Sequence, residues 1–178
     1  MAIKVEVLPH NPKWRDEFAK EANQINLALG ENVVTIHHIG STALPNIYAK
    51  PIIDLLVEVE NLTQVDLCNC AMQELGYEVM GEFGIPRRRY FRKDNEVGIR
   101  THHVHVFESA SSEVERHLAF RDYMIAHQDY AQQYSQLKRE LVKKLHWSDI
   151  ESYMDGKDKF IKEMEKKALE WQRVVKKA

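Results

Sequence analysis

One apolar run constrains the fold of this 178-residue chain more than any other feature. Residues 51–59 read PIIDLLVEV, and apolar side chains fall on both of the alternating faces that a strand would have. A strand that is apolar on both faces lies inside a sheet with packing on either side. The run therefore predicts an interior strand. The carboxylate of Asp54 within it needs a cation or several hydrogen-bond donors, because burying an unpaired charge is costly.

Helical and strand-like patterns surround this run. A first helix is predicted from Pro12 at its first turn, capped by Asn11, to Gly30 at its end. Further strands are predicted over 33–39, 77–82, 87–93 and 98–107, with a helix over 64–75.

The chain becomes helical from Ser112, and a final helix begins at about residue 149. This order predicts the α+β class: a mixed sheet with flanking helices and a helical C-terminal third. We expect residues 1–110 to form the core and residues 111–178 to pack on it in a single compact unit.

Composition excludes several classes of partner. The chain has 25 Lys and Arg against 27 Asp and Glu, so its net charge of −2 gives no strong signal for nucleic acid or a membrane surface. No stretch approaches the roughly 20 apolar residues of a membrane span, and the start shows no secretion signal. Cys68 and Cys70 lie two apart in a predicted helix and are not expected to pair, which favours a cytoplasmic location. Nothing in the sequence indicates the oligomeric state.

A small-residue turn follows the strand over 33–39. Gly40, Ser41 and Thr42 offer backbone N–H groups and two hydroxyls at one point, an arrangement that suits a phosphate group. The alternative is a tight turn without a ligand, since small residues punctuate many connections.

Asp54 shares a strand face with Leu56 and Glu58. Its carboxylate can serve a metal ion or a substrate, and the alternative is an ion pair with Lys50 or an arginine of 87–89 such as Arg88.

Histidines supply the next candidates. His103 and His105 are two apart on a predicted strand, so both rings point the same way and can ligate one cation or donate to a phosphoryl group. The alternative is a pair on a solvated face. His37 and His38 have opposite faces, so at most one of them joins such a cluster, and the pattern does not decide which.

The pattern over residues 37–59, HHIGSTALPNIYAKPIIDLLVEV, resembles the signature of the GrpB-like proteins. The resemblance extends over nearly the whole chain through the segments NPKW, RRRYF, HHVHVF, FRDYM, YSQLKREL and YMDGKDKFI. GrpB-like proteins are placed by fold in the nucleotidyltransferase superfamily. The resemblance implies that Gly40 and Ser41 grip nucleotide phosphates, that Asp54 is the first metal-binding acid, and that a divalent cation such as Mg²⁺ takes part.

The chain departs from the superfamily pattern at Leu56, where a second acid is expected. Glu58 lies about 13 Å further along the strand, too far to share one metal ion with Asp54 unless the strand bulges. His103 or His105 takes the place of the third acid. We therefore expect a single cation held by Asp54 and His105, with Glu58 as a weaker candidate ligand and His38 as a neighbour. Nitrogen ligands favour Mn²⁺ or Zn²⁺ over Mg²⁺.

Three functions follow from these residues. The first is a nucleotidyltransferase-like enzyme that binds a nucleotide or phosphorylated metabolite, with Asp54, His103 and His105 as its catalytic groups. The phosphates would be held by the Gly-Ser-Thr turn and by basic side chains: Lys50, Arg88, Lys138 and Lys157. The second is an inactive nucleotide-binding or regulatory module, and the third is a small metal-dependent hydrolase.

Overall fold

A computed structural model describes residues 6–144 and 150–177 of the chain. Those residues form two compact units. The sheet unit comprises Pro12–Ala43 and Ile52–Glu115, and the helical unit comprises the remaining described residues. The predicted α+β class is confirmed. The division at residue 110 and the packing into a single compact unit stay predictions.

The sheet unit contains five strands, one long helix and two short ones. In chain order its elements are α1 (Lys13–Leu29), β1 (Val33–Ile39), β2 (Ile53–Val59), α2 (Leu62–Asp66), α3 (Asn69–Glu74), β3 (Glu78–Val79), β4 (Arg89–Asp94) and β5 (Arg100–Glu108). Short 3-10 turns follow α1 and β1, at Gly30–Asn32 and Ser41–Ala43.

The sheet is mixed, and its strand order is β1-β2-β5-β4-β3. β2 and β5 run parallel, while the other neighbouring pairs are antiparallel. β2 lies between β1 and β5, and Leu55, Leu56 and Val57 on it are fully buried. The predicted interior strand with packing on both faces is therefore confirmed.

The spacing of apolar residues in α1 and the glycine after it explain the position of this helix. Trp14, Ile25 and Leu29 recur at helical spacing and are buried. The helix stops at Gly30, whose φ of 70° is a left-handed conformation that glycine adopts without a Cβ clash. Its N-cap is Pro12 and no side chain caps it, so the predicted cap at Asn11 is wrong.

Two predicted elements are shorter than expected. The predicted helix over 64–75 is two helices, α2 and α3, and the Asn61 side chain caps α2 by accepting from the Thr63 N–H at 2.8 Å. The predicted strand over 77–82 is reduced to β3. At Gly81 the backbone turns left-handed with a φ of 61°, which ends the extended conformation.

The helical unit is built on α4 (Ser112–Ala126), which enters it from the sheet unit, α5 (Gln128–Lys144) and α6 (Ile150–Lys177). The segment 44–51 joins the core of this unit through Leu44 and Ile47. The other buried members of that core are Ala119, Tyr123, Met124, Ala131, Tyr134, Met164 and Ala168. Helical spacing in the sequence also predicts Leu145 on an apolar helix face, and this residue lies outside the described residues.

Within the described residues, no helix combines the length and apolar character needed to cross a membrane. Cys68 and Cys70 are both free thiols, as the sequence predicts.

Candidate functional site

Two parallel strands bring Asp54, His103 and His105 to one face of the sheet. In the β2–β5 register, Asp54 is paired with His103, and Leu56 with His105. Because side chains alternate between faces along a strand, all three polar groups project to the same side. Asp54 Oδ1 lies 3.1 Å from His103 Nδ1 and 3.4 Å from His105 Nε2. The sequence predicted this convergence.

The donor set suits a divalent cation. One ligand atom from each of Asp54, His103 and His105 lies within 4.8 Å of the other two. The three side chains are between 17% and 25% exposed, so the cluster is lined by protein but still reachable from solvent. Two nitrogens and one carboxylate oxygen match the preferences of Mn²⁺ or Zn²⁺ better than an all-oxygen set would.

The Asp54 carboxylate is ionised in this setting. Burial alone would raise the pKa of Asp54, but hydrogen bonds from His103 and His105 and their positive charge when protonated outweigh it. The pKa of Asp54 is therefore held well below its usual value. The acid offers a negative charge for a cation throughout the neutral pH range.

Arg88 borders the cluster. Its guanidinium is buried and donates to Glu82 O at 3.2 Å and Phe83 O at 2.9 Å. Arg88 Nη1 lies 3.4 Å from His105 Nδ1. A guanidinium only donates, so the tautomer of His105 decides its partner. Nδ1 accepts from Arg88 when the proton is on Nε2, and Nε2 can ligate a cation when the proton is on Nδ1. These partners are carbonyls and an imidazole, so the charge of Arg88 has no carboxylate within ion-pair distance among the described residues.

Tyr90 is the site residue that sequence reasoning missed. Its ring centroid lies 5.8 Å from that of His103 and 5.4 Å from that of His105, and the Arg88 guanidinium carbon lies 4.8 Å from the ring centre. Alternation along β4 was the available signal, because Tyr90 is paired with His105 and therefore shares its face.

The turn after β1 contacts Asp54 directly. Gly40 has a φ of 75°, and a Cβ at this position would collide with the Asp54 carboxylate. The site therefore needs glycine here for both backbone conformation and space. The Thr42 hydroxyl is buried and donates to Ile52 O at 3.3 Å, and His38 Nε2 lies 2.9 Å from it. Ser41 begins the following 3-10 turn.

Two predicted neighbours, Glu58 and His38, lie elsewhere. Glu58 contacts His37 and accepts from the Ser109 hydroxyl at 3.1 Å, so the structure does not bring it to the Asp54 cluster. The cluster that the described residues form with metal-ligand spacing contains Asp54 and the two histidines, without Glu58. His38 bonds to Thr42 and stacks on Phe18, with ring centroids 4.7 Å apart.

Lys50, Lys138 and Lys157 belong to the helical unit. Lys50 and Lys157 are half-buried, whereas Lys138 is only 1% exposed. The Lys138 Nζ has no hydrogen-bond partner among the described residues and lies 4.4 Å from the centre of the Tyr134 ring.

Comparison with known proteins identifies the family. The sequence profile of the family described as GrpB protein matches residues 4–167. UPF0157 protein YqkA of Bacillus subtilis (strain 168) is 44% identical over 170 residues, which are 96% of this chain and 49% of the relative. The chain thus spans about half the length of that relative.

Solved structures agree with this match. The conserved protein GrpB from Enterococcus faecalis superposes with a TM-score of 0.88 at 43% identity, covering 94% of this chain and 99% of the other. Cid1 in complex with the UTP analogue UMPNPP gives a TM-score of 0.44 at 12% identity, covering 74% of this chain and 44% of Cid1. The second likeness is too low to carry an argument. The chain belongs to the GrpB family.

Proposed function

We propose that this chain binds a nucleotide or a phosphorylated metabolite through one divalent cation held by Asp54, His103 and His105, and that it transfers a nucleotidyl group. The observation that supports the proposal best is the three-ligand cluster, whose donor atoms lie within 4.8 Å of one another. Mn²⁺ or Zn²⁺ fits the donor set, and Mg²⁺ is the weaker candidate.

Groups around the cluster suit phosphate oxygens. Arg88 carries a buried positive charge beside His105, and among the described residues the Glu113 carboxylate acts on it without forming an ion pair. A phosphate would compensate that charge directly. Gly40 brings a backbone without a side chain against the Asp54 carboxylate, which sets the turn at Ser41 beside the cluster. The Thr42 hydroxyl is already bonded inside the protein, so its predicted role is the weakest of the three turn residues.

The lysines predicted to bind phosphate lie in the helical unit, and this role stays a prediction for all three: Lys50, Lys138 and Lys157. Lys138 supports this role best, because its buried amine has no hydrogen-bond partner among the described residues. A buried donor gains most from an anionic partner.

The proposed reaction is displacement at a nucleotide α-phosphorus. When bound, the cation neutralises phosphoryl charge. An acceptor hydroxyl would attack the α-phosphorus and release its proton to water, while Arg88 holds an oxygen of the phosphoryl group. Pyrophosphate would leave.

A second function is binding without transfer. Leu56 is fully buried and stands two residues after Asp54, where the superfamily pattern has a second acid. The described cluster therefore carries one carboxylate, enough for a single cation but not for the two-cation arrangement that brackets attacking and leaving oxygens. A regulatory nucleotide sensor would need no more than this.

The test is calorimetric titration with ATP, GTP, CTP and UTP, with Mg²⁺, Mn²⁺, Zn²⁺ or no metal, together with an assay of released pyrophosphate. We expect cation-dependent binding that Asp54→Asn abolishes. The control is Asp66→Asn, which removes a carboxylate that is 43% exposed and paired with Arg89.

The outcomes separate the two functions. Cation-dependent binding with pyrophosphate release supports transfer, and the same binding without release supports the regulatory module. Nucleotide binding that needs no cation and survives Asp54→Asn contradicts the proposed cation site. If none of the four nucleotides binds, the nucleotide proposal fails.

A further inference from the structure

An aromatic side chain stands exposed next to the candidate site. Phe83 is 55% exposed, and its φ of 47° is a left-handed conformation. For a bulky residue this conformation is strained and persists only where neighbouring structure holds it. Strain of this kind concentrates at ligand-binding segments, so Phe83 calls for a functional explanation.

Arg88 holds the backbone of this segment. Its Nη2 donates to Phe83 O at 2.9 Å and its Nε donates to Glu82 O at 3.2 Å. The same guanidinium reaches His105. One side chain therefore fixes both the position of Phe83 and one edge of the Asp54 cluster.

The Phe83 ring packs against two side chains of β4. It stacks on Tyr90 with centroids 5.4 Å apart and planes 24° apart, and the Arg92 guanidinium carbon lies 5.6 Å from its centre. Tyr90 and Arg92 are two residues apart on β4 and project from the same face. Both therefore approach Phe83 from β4, and the residue stays 55% exposed to solvent.

Two successive ring contacts connect Phe83 to the candidate site. One step of 5.4 Å goes from Phe83 to Tyr90, and a second step of 5.4 Å goes from Tyr90 to His105. The exposed ring is thus two ring contacts from a histidine that faces Asp54.

We propose that Phe83 is a stacking platform for the aromatic base of the ligand whose phosphate groups bind at the Asp54 cluster. This inference rests on the proposed function and names its ligand class as nucleotides rather than phosphorylated metabolites without a ring. A planar base suits the site because an aromatic face binds any base by stacking, and the neighbouring arginines favour electron-rich rings.

The experiment compares two ligands by calorimetry in the presence of Mn²⁺: the nucleoside triphosphate that the wild type binds best, and inorganic tripolyphosphate. The variants are Phe83→Ala and Phe83→Leu, and Phe83→Trp retains a ring. The matched control is Val97→Ala, at an apolar residue of the β4–β5 turn that is 78% exposed.

Both Phe83→Ala and Phe83→Leu are expected to weaken nucleotide binding by about 5- to 150-fold, the range for loss of one base–aromatic stack. Tripolyphosphate affinity stays at the wild-type level, which also shows that the variants are folded. Phe83→Trp and Val97→Ala keep both affinities.

Three results would overturn the platform but not the proposed phosphate site of the wild type. They are unchanged nucleotide affinity in both variants, equal loss of both ligands, and a wild type that binds tripolyphosphate but no nucleotide. A wild type that binds neither ligand overturns the proposed function, and the platform fails with it. A Phe83→Ala variant that changes only its oligomeric state assigns Phe83 to a protein interface instead.

Discussion

Two lysines that each lie beside a tyrosine ring, one in each unit, differ in their partners and in burial: the Lys93 side chain is 19% exposed and Lys138 is 1% exposed. Lys93 Nζ on β4 lies 4.7 Å from the centre of the Tyr77 ring, and Lys138 Nζ on α5 lies 4.4 Å from the centre of the Tyr134 ring. Lys93 also forms an ion pair with Glu21, which accepts a hydrogen bond from the Tyr77 hydroxyl at 2.6 Å. Lys138 has no hydrogen-bond partner among the described residues.

The partner decides the charge state of each cluster. Burial raises the pKa of Glu21, but Lys93 and Tyr77 outweigh it and lower the pKa below its usual value. Burial, with a smaller effect from Lys157, lowers the pKa of Lys138 to about 6, so its amine is neutral at pH 7. A lysine paired with a carboxylate keeps its charge, whereas a buried lysine without one loses its proton.

The largest effect is expected from breaking the paired cluster. Glu21→Gln leaves the Lys93 ammonium without its counter-charge, and we expect the free energy of unfolding to fall by about 4 kcal/mol at pH 7. Urea denaturation measures the change. The double variant Glu21→Leu with Lys93→Met removes both charges and is expected to recover most of the loss. A single variant as stable as the wild type would show that the pair has no structural role.

Replacing Lys138 is expected to raise the free energy of unfolding, opposite to the effect of replacing Glu21. Lys138→Met keeps the volume of the side chain and removes an amine that must lose its proton to be buried, so the free energy of unfolding should rise by about 3 kcal/mol at pH 7. Lys143→Met, at an exposed position of the same helix, is the control and should change little. A destabilised Lys138→Met would mean that the amine already has a stabilising partner.

Part of the site was visible in the sequence because it depends on local rules. Alternation along a strand places His103 and His105 on one face, and the apolar run around Asp54 predicts an interior strand. The sequence alone does not show that β2 and β5 are neighbours, because this is a tertiary contact between residues as far apart as Asp54 and His103, 49 positions. The family resemblance identified Asp54 as the residue to which the other groups converge.

The remaining contacts depend on which strands become neighbours. Glu58 shares a face with Asp54, but β1 brings His37 within reach of its carboxylate, so it pairs there. The ion pair of Glu21 with Lys93 joins residues 72 positions apart, a distance over which no periodicity in the sequence carries information. Lys138 was predicted as a phosphate-binding residue, and its burial without a described partner is a property of side-chain packing.

A smaller effect is expected in how the stability contributed by Lys138 depends on pH. The unfolded chain holds the proton of Lys138 up to a pKa of about 10.4, whereas the folded protein loses it near 6, so the unfolded state binds more protons between these values. Stability attributable to Lys138 should therefore rise with pH, by about 1.4 kcal/mol from pH 7 to pH 8. The measurement is the difference in urea unfolding between the wild type and Lys138→Met at both values. A difference that does not change with pH contradicts a neutral buried amine.

The smallest effect is expected at acid pH and concerns the paired cluster. The folded-state pKa of Glu21 lies below its unfolded value of about 4.3, so its stabilisation is complete above that pH and is lost as the pH falls through the folded pKa. The stability difference between the wild type and Glu21→Gln should shrink by about 1 kcal/mol between pH 5 and pH 3. Glu17→Gln, at an exposed position of α1, should show a nearly constant difference over the same range. If the Glu21 difference is also constant, its carboxylate does not depend on Lys93 for its ionisation, and the contrast with Lys138 would then lie in burial alone.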